Sequence, residues 1–370
     1  MLETKGIELI KSVEDKIKSV RTRSLDLSFN ELLDMYMDEE LKIDPEYQRL
    51  FRWSEGKQSR FIESLLLELP VPPIFVIELE EGIYELMDGL QRISSYLNFR
   101  GKLDEEEEPL TLVDCDIVSE LNGLTYKDLP KPLEIKLKRN FIRVEILRKE
   151  SDSRLRYYMF KRLNTGGEIL SEQEIRNSTI RLLDSGFNDL LIQLSQDQYF
   201  KDTLANLSET KVNQKYDQEL VLRFLAFKNN IGEYKHDVSD FLTEYMEQAT
   251  LLLQTDSFDT ERQRQEFVKT FKILAKSMGG SVFASVSTKG KPSKGFLVYH
   301  FEAFSLGIQC VLDKINPDND DEIIELKKIF MEIKKDVQFK KLTTGGGKNY
   351  KRPLEDRINF VKEKVLTIYG

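Results

Sequence analysis

The five residues Asp88-Gly89-Leu90-Gln91-Arg92 place a carboxylate, an amide and a guanidinium where a predicted strand meets a predicted helix. Glycine permits a tight turn there, and the first N–H groups of a helix have no intrahelical partner. Together with the helix dipole and Arg92, these amides suit a phosphate group. Asp88 could hold a divalent cation, act as a base or cap the helix, and Gln91 could place a water or read a base. The alternative is a plain turn with a capping aspartate.

A second cluster, Tyr47–Trp53 (YQRLFRW), interleaves arginines with aromatic residues. Arg49 and Arg52 suit contact with phosphate, and Trp53 suits stacking on a base. The alternative is that the aromatic side chains seat the loop on the core while the arginines are solvated.

A third cluster surrounds a predicted turn between two helices. Asn164 lies where the first helix ends, and Gly166-Gly167 permit a left-handed backbone after it. Ser171 and Glu174 have the spacing of a capping box that opens the second helix. A helix-turn-helix without a ligand is the alternative interpretation.

A fourth cluster is the glycine-rich segment Thr343–Lys348 (TTGGGK) with the basic residues that follow it. Lys348, Lys351 and Arg352 could grip the phosphates of DNA or of a nucleotide. The segment is not a P-loop, because the GxxxxGK[ST] spacing is absent. A flexible interdomain loop is the alternative.

Apolar spacing predicts the elements that position the first two clusters. It predicts a helical lead-in over residues 1–24 and an acidic insert over residues 103–140. Between them it predicts helices over Asn30–Met37, Glu55–Leu69 and Leu90–Phe99, and strands over Leu41–Ile43, Pro73–Leu79 and Ile83–Met87. A further strand is predicted over Phe141–Leu147.

From about residue 178 onward the pattern is helical. Amphipathic stretches cover residues 178–195, 217–228, 238–253, 261–278, 296–315, 322–335 and 354–368. We therefore expect an α+β N-terminal domain over residues 1–180 and an all-α C-terminal domain over residues 181–370.

Composition excludes several classes of protein. No stretch of the 370 residues approaches the ~18 apolar residues of a membrane span, and the first residues lack the apolar core of a signal peptide. Two cysteines far apart fit a reducing cytosol, so a cytoplasmic location is expected. Only two histidines, His236 and His300, leave little room for an HNH-type nuclease. A net charge of −9 requires any nucleic-acid surface to be a local basic patch.

Taken in order, four stretches resemble the DUF262 family, the N-terminal domain of GmrSD-type modification-dependent restriction enzymes. They are YQRLFRW (47–53), LPVPPIFV (69–76), YELMDGLQRISSYLNF (84–99) and FKRLNTGGEILSEQEIRNS (160–178). The family hallmark is written DGQQR; here Leu90 replaces its first glutamine. The resemblance implies a ParB/sulfiredoxin-like fold with a small mixed sheet. No HNH constellation follows residue 180, so the chain resembles the short form that lacks a nuclease domain.

The resemblance also implies nucleotide binding and hydrolysis with a divalent metal, Mg²⁺. By position, Asp88, Gln91 and Arg92 would form the catalytic core, with Asp88 as the metal ligand. Gly89 joins them in the turn, and polar positions at Arg49, Arg52 and Asn164 would contact the nucleotide.

Three functions remain open at this point. The first is a nucleoside-triphosphate hydrolase, or its regulatory subunit, in DNA restriction or anti-phage defence. The second is a DNA-binding module without turnover that grips backbone phosphate and recruits a separately encoded nuclease. The third is a structural role, in which the helical half docks a defence subunit or a second copy of this chain.

Overall fold

The computed structural model describes residues 6, 9–11, 13–14, 21–43, 51, 53–103, 108–151, 159, 171–235, 237–287 and 291–369. The molecule is α+β, with a small mixed sheet in the N-terminal part and a mostly helical C-terminal part, which confirms the predicted fold class. No helix in the described ranges has both the length and the apolar character needed to cross a membrane.

The chain divides into two compact units, Met1–Ile169 and Leu170–Gly370. We had expected a domain boundary after residue 180. The helix Glu172–Ile180 lies instead within the second unit, where the Arg176 guanidinium donates a hydrogen bond to Thr243 Oγ1 at 3.1 Å.

The first unit contains five strands and four α-helices among its described residues. The strands are β1 (Thr22–Ser28), β2 (Leu41–Lys42), β3 (Ile74–Glu80), β4 (Ile83–Asp88) and β5 (Phe141–Leu147). The helices are α1 (Phe29–Met37), α2 (Glu55–Leu66), α3 (Leu90–Phe99) and α4 (Lys131–Arg139). Single 3₁₀ turns lie at Ser119–Leu121 and Tyr126–Asp128.

The sheet has the strand order β1-β5-β3-β4-β2. β3 runs parallel to β5 and antiparallel to β4, and β2 runs parallel to β4, so the sheet is mixed as predicted. Phe75 near the start of β3 pairs with Asp88 at the end of β4. The turn that follows Asp88 therefore lies at the edge of the sheet where β3 begins.

β1 was not predicted, and the helix expected up to residue 24 is wrong at its end, because Thr22–Ser28 is a strand. Most of the rest of that lead-in lies outside the described residues. β1 pairs antiparallel with β5 along its whole length, from Thr22 opposite Leu147 to Ser28 opposite Phe141. Such pairing compensates for a strand that carries only two apolar side chains.

The second unit is built from eleven α-helices among its described residues. They are α5 (Glu172–Ile180), α6 (Gly186–Ser195), α7 (Gln198–Thr203), α8 (Glu209–Asn213), α9 (Tyr216–Asn230), α10 (Val238–Gln254), α11 (Thr260–Met278), α12 (Val298–Gly307), α13 (Asp320–Lys335), α14 (Val337–Thr343) and α15 (Lys351–Tyr369). Shorter 3₁₀ segments lie at Ile231–Glu233, Gly279–Ser281 and Ile308–Lys314.

A buried ionic cluster lies in the core of this helical unit. Glu302 on α12 is 1% exposed and accepts hydrogen bonds from Arg223 Nη1 at 2.6 Å and from Arg357 Nε at 2.8 Å. Arg357 also donates to the carbonyl of Lys348, and its guanidinium stacks over the Tyr299 ring. One carboxylate thus joins helices α9, α12 and α15.

Lys334 on α13 is a buried lysine with a defined structural role. It is 1% exposed, and its Nζ donates to the carbonyls of Ser281 at 2.9 Å and Ala284 at 2.6 Å. Burial lowers the pKa of Lys334 from 10.5 to about 7. A neutral amine has two N–H donors, which matches the two carbonyls that it holds.

This lysine makes stability depend on pH. Between pH 7 and 10.5 the unfolded chain binds a proton at Lys334 that the folded protein lacks, so the free energy of unfolding rises with pH there. The expected slope from this group is at most about 1.4 kcal/mol per pH unit. Urea denaturation at pH 7.5 and 9.5 should show a larger gain for the wild type than for Lys334→Met. Equal gains would contradict the assignment.

Candidate functional site

The turn between β4 and α3 depends on Gly89. Its φ is +106°, a conformation that L side chains rarely adopt. A Cβ at this position would lie 2.3 Å from Ile74 Cγ2 and 3.3 Å from an Arg92 guanidinium nitrogen. The glycine therefore allows both the reversal of the chain and its close approach to β3.

Replacing Gly89 by alanine is expected to destabilise the protein by about 2 kcal/mol or more, since the strained φ and the contact with Ile74 add together. Gly82 is a matched control, because its φ is +79° and a Cβ there would meet nothing within 4 Å. Gly82→Ala should lose only about 1 kcal/mol. Urea denaturation of both variants measures the difference, and equal losses would contradict this interpretation of the turn.

α3 begins directly after the turn, without a capping side chain from any described residue. Gly89 is its N-cap residue, so the alternative in which Asp88 caps the helix is wrong. The N–H groups of the first turn of a helix carry partial positive charge, and the helix dipole favours negative charge there.

The Arg92 guanidinium lies against this turn. Its Nη2 donates to Asp88 Oδ2 at 2.8 Å and to the Pro73 carbonyl at 3.2 Å. Its Nε is buried and has no hydrogen-bond partner in the described part of the chain. A buried N–H without a partner is costly, and a bound anion would supply one.

Asp88 is the more accessible member of this ion pair. Its side chain is 32% exposed, compared with 15% for Arg92. Oδ2 is occupied by Arg92, whereas Oδ1 has no hydrogen bond or ion pair within the described ranges. This oxygen fits the demand of Mg²⁺, which binds one or two carboxylates together with substrate phosphates. No three His, Cys, Asp or Glu side chains form a metal-binding group among the residues described.

Gln91 connects the turn to the end of the YQRLFRW cluster. Its Oε1 accepts a hydrogen bond from the Trp53 backbone N–H at 3.0 Å. The Trp53 carbonyl accepts from Gln58 Nε2 at 2.9 Å, and Gln58 Oε1 accepts from Asn98 Nδ2 at 2.9 Å. The Trp53 ring packs edge-on against Phe61 at 5.9 Å. The structure thus brings Trp53 together with the Asp88–Arg92 turn.

Arg49 and Arg52 lie outside the described residues, as does Asn164 of the third cluster. The predicted capping box is present: Ser171 Oγ accepts from the Glu174 N–H, and Glu174 Oε2 accepts from the Ser171 N–H. These two residues begin α5 of the helical unit.

The fourth cluster makes its contacts inside the helical unit. The Lys348 ammonium donates to the carbonyls of Lys341 and Thr344 at the end of α14. Lys351 Nζ donates to the Gly232 carbonyl at 2.6 Å. Arg352 is exposed. Two of the three predicted phosphate-binding cations therefore already hold backbone carbonyls.

Sequence reasoning missed Gln58 and Asn98. The signals were present in the helical spacing: Gln58 lies three and four residues before the core residues Phe61 and Ile62, and Asn98 lies two turns after Gln91 on α3. A polar side chain on the buried face of α2, Gln58, indicated a partner inside the fold, whereas Asn98 on α3 is half-buried.

Comparison with known families places the site in a named domain. Residues 29–181 match the family described as GmrSD restriction endonuclease, N-terminal domain. No curated protein and no solved structure matches the chain, so the ParB/sulfiredoxin likeness of the fold stays a prediction. The matched range contains the β4–α3 turn, Trp53, Gln58 and Asn98, and residues 29–181 of this chain therefore belong to the GmrSD restriction endonuclease N-terminal domain family.

Proposed function

We propose that the Asp88–Arg92 turn binds the phosphates of a nucleoside triphosphate with Mg²⁺ and hydrolyses the terminal phosphate. The family implies a role in restriction or defence, and this activity would serve it, as an enzyme or as a regulatory subunit. The observation that carries the proposal is the hydrogen bond from Trp53 N–H to Gln91 Oε1, because it joins two clusters that the sequence singled out independently.

The charges around the turn support phosphate as the ligand. Arg92 offers a buried Nε–H without a partner in the described part of the chain, and it lies in the first turn of α3, whose N-cap residue is Gly89. Guanidinium and helix amides together bind phosphate oxygens through charge-assisted hydrogen bonds. In the free protein the Asp88 carboxylate balances the guanidinium charge.

The Asp88 carboxylate suits the hydrolysis step that follows phosphate binding. Mg²⁺ held at Asp88 would neutralise charge on the phosphates. Asp88 can also orient a water through the oxygen that Arg92 does not use. Arg92 would stabilise charge that develops on the transferred phosphoryl group, and Arg52, next to Trp53 in the chain, would assist it. Gln91 Oε1 is engaged by Trp53, so we assign to that oxygen the placement of the loop rather than of the water.

We further propose that the chain works with a separately encoded nuclease or defence subunit and acts on DNA through that partner. His300 is 4% exposed and packs against Phe304 and Phe339. Burial lowers its pKa to about 3, so it stays neutral and is unsuited to serve as the base of a nuclease.

Phosphate release with purified protein tests the proposal. The wild type, Asp88→Ala and Arg92→Ala are each incubated with ATP, GTP, CTP and UTP in the presence of Mg²⁺. The wild type should release phosphate from at least one nucleotide, and both variants should be at least a hundred-fold slower. Equal release by all three proteins would refute hydrolysis at this turn.

A further inference from the structure

We infer that Gln58 and Asn98 are positioning residues for the nucleotide site, fixing the loop that ends at Trp53 against the Asp88–Arg92 turn; this inference rests on the proposed function. Gln58 lies outside the motifs that the sequence identified, and Asn98 lies within the stretch 84–99 but was assigned no role there. Both lie on helices of the first unit, Gln58 on α2 and Asn98 on α3, and they contact each other at 2.9 Å.

The contacts form one continuous chain. Asn98 Nδ2 donates to Gln58 Oε1, Gln58 Nε2 donates to the Trp53 carbonyl, and the Trp53 N–H donates to Gln91 Oε1. Both ends of the chain lie on α3, since Gln91 and Asn98 are seven residues apart on the same face. The loop end is therefore held on both backbone groups of Trp53 by two rigid helices.

Because Gln58 is buried, an apolar side chain cannot replace its amide group without loss of hydrogen bonds. Gln58 is 5% exposed, so its amide oxygen and nitrogen need partners inside the fold. An apolar side chain of similar size at this position would leave the Trp53 carbonyl and the Asn98 amide without the partners that they have now. Of the two backbone hydrogen bonds described here at Trp53, only the one from its N–H to Gln91 would then remain, beside the ring contact with Phe61.

The contacts at Trp53 bear on the proposed role of Arg52, the residue before it in the chain. Arg52 is bonded directly to Trp53, so the Trp53 N–H that Gln91 binds belongs to the peptide unit shared with Arg52. An arginine that contacts phosphate binds better when its main chain is already ordered, because less conformational entropy is lost on binding. Loss of Gln58 should therefore weaken nucleotide binding more than it slows the chemical step.

The only tryptophan of the chain reports on this tether directly. Acrylamide quenching of Trp53 fluorescence, measured without nucleotide, should rise at least twofold in Gln58→Leu. Asn98→Leu, which leaves the Gln58–Trp53 bond in place, should give a smaller rise. Asn140→Leu is the matched control: Asn140 Nδ2 also donates to a backbone carbonyl of α2, that of Leu65 at 2.6 Å, but has no contact with Trp53 within the described residues.

Nucleotide kinetics then test the link to the site. For the nucleotide that the wild type hydrolyses, KM should rise about tenfold in Gln58→Leu with kcat within threefold, and Asn140→Leu should match the wild type. Circular dichroism shows whether each variant is folded. If Gln58→Leu does not fold, Asn98→Leu is measured in its place. A folded Gln58→Leu or Asn98→Leu with wild-type quenching would overturn the tether. Raised quenching with unchanged KM would overturn the positioning role.

The two proposals fail in different ways. If the wild type hydrolyses no nucleotide, the proposed function fails together with the positioning role, whereas the quenching comparison still decides whether the tether exists. If the wild type hydrolyses a nucleotide and Gln58→Leu behaves like Asn140→Leu in both assays, only this inference is overturned.

Discussion

Replacing Asp88 by asparagine is expected to lower the turnover number for nucleotide hydrolysis by about a hundred- to a thousand-fold while leaving nucleotide affinity unchanged or tighter. Asparagine keeps the size of the side chain and one acceptor for Arg92, but it removes the charge that would hold Mg²⁺. The guanidinium of Arg92, now shared between Asp88 and the Pro73 carbonyl, would lose its only ion-pair partner among the described residues. More of its charge then acts on phosphate.

The matched control is Asp26→Asn on β1. Asp26 also pairs with an arginine, Arg143, at 3.0 and 3.1 Å, but it is exposed and lies on the opposite edge strand of the same sheet. This variant should hydrolyse nucleotide at the wild-type rate. If Asp88→Asn loses affinity while its turnover number stays unchanged, Asp88 contributes to binding and not to the chemical step. If it loses neither, the carboxylate has no part in the reaction.

Replacing Glu302 by glutamine should destabilise the helical unit by about 3–5 kcal/mol, because the buried Arg357 loses its counter-charge among the described residues and the buried Arg223 loses the nearer of two. Arg223 and Arg357 are 8% and 1% exposed, so water cannot take the place of the carboxylate. Arg223 keeps a weaker contact with Glu219 at 3.5 Å. Urea denaturation followed by circular dichroism measures the loss.

Two comparisons separate the effect of an unpaired buried charge on stability from other effects of the substitution. Asp318→Asn removes the partner of Lys272 and Lys276 on the surface and should change the free energy of unfolding little, because exposed pairs are screened by water. The double variant Glu302→Gln/Arg357→Met should recover part of the stability lost by Glu302→Gln, since one uncompensated charge is gone. A double variant as unstable as the sum of its single changes would contradict this account.

Much of the first unit follows from local patterns. The spacing of apolar residues predicted α1, α3 and β3 to β5 close to their observed bounds, and α2 begins at Glu55 as predicted. β1 was not predicted, because the segment TRSLDLS has only two apolar residues. It is stabilised by pairing with β5, which is 113 residues or more away in the chain. Partners at that separation leave no local signal.

In the helical unit, the sequence predicted elements better than it predicted the contacts between them. Its longer helices were predicted from amphipathic spacing, whereas the short helices α7, α8 and α14 were not. Amphipathic spacing also does not identify the partner of a charged side chain. Glu302 lies in the otherwise apolar segment FLVYHFEAFSLG, and a lone carboxylate in such surroundings indicates a buried counter-ion. The identity of that counter-ion depends on helix packing, which brings Arg223 and Arg357 from 79 and 55 residues away.

The candidate site was predicted in part. The residue types of Asp88, Gly89 and Arg92 already suggested an anion-binding turn, and the structure gives that turn its left-handed glycine and its paired guanidinium. The engagement of Gln91 with Trp53 could not be predicted, because an amide in a motif can serve a ligand equally well. Only the packing of α2 on α3 decides between these roles.

The proposed function requires Arg92 and the start of α3 to hold the phosphates of a nucleotide. Isothermal titration calorimetry of the wild type and Arg92→Ala, with Mg²⁺ and slowly hydrolysed analogues of the four nucleoside triphosphates, tests it most directly. At least one analogue should bind the wild type, and Arg92→Ala should weaken that binding by at least tenfold, since hydrogen bonds to charged groups contribute about 1.5–3 kcal/mol. Equal affinity of the two proteins, or no binding of any analogue to the wild type, would contradict the claim.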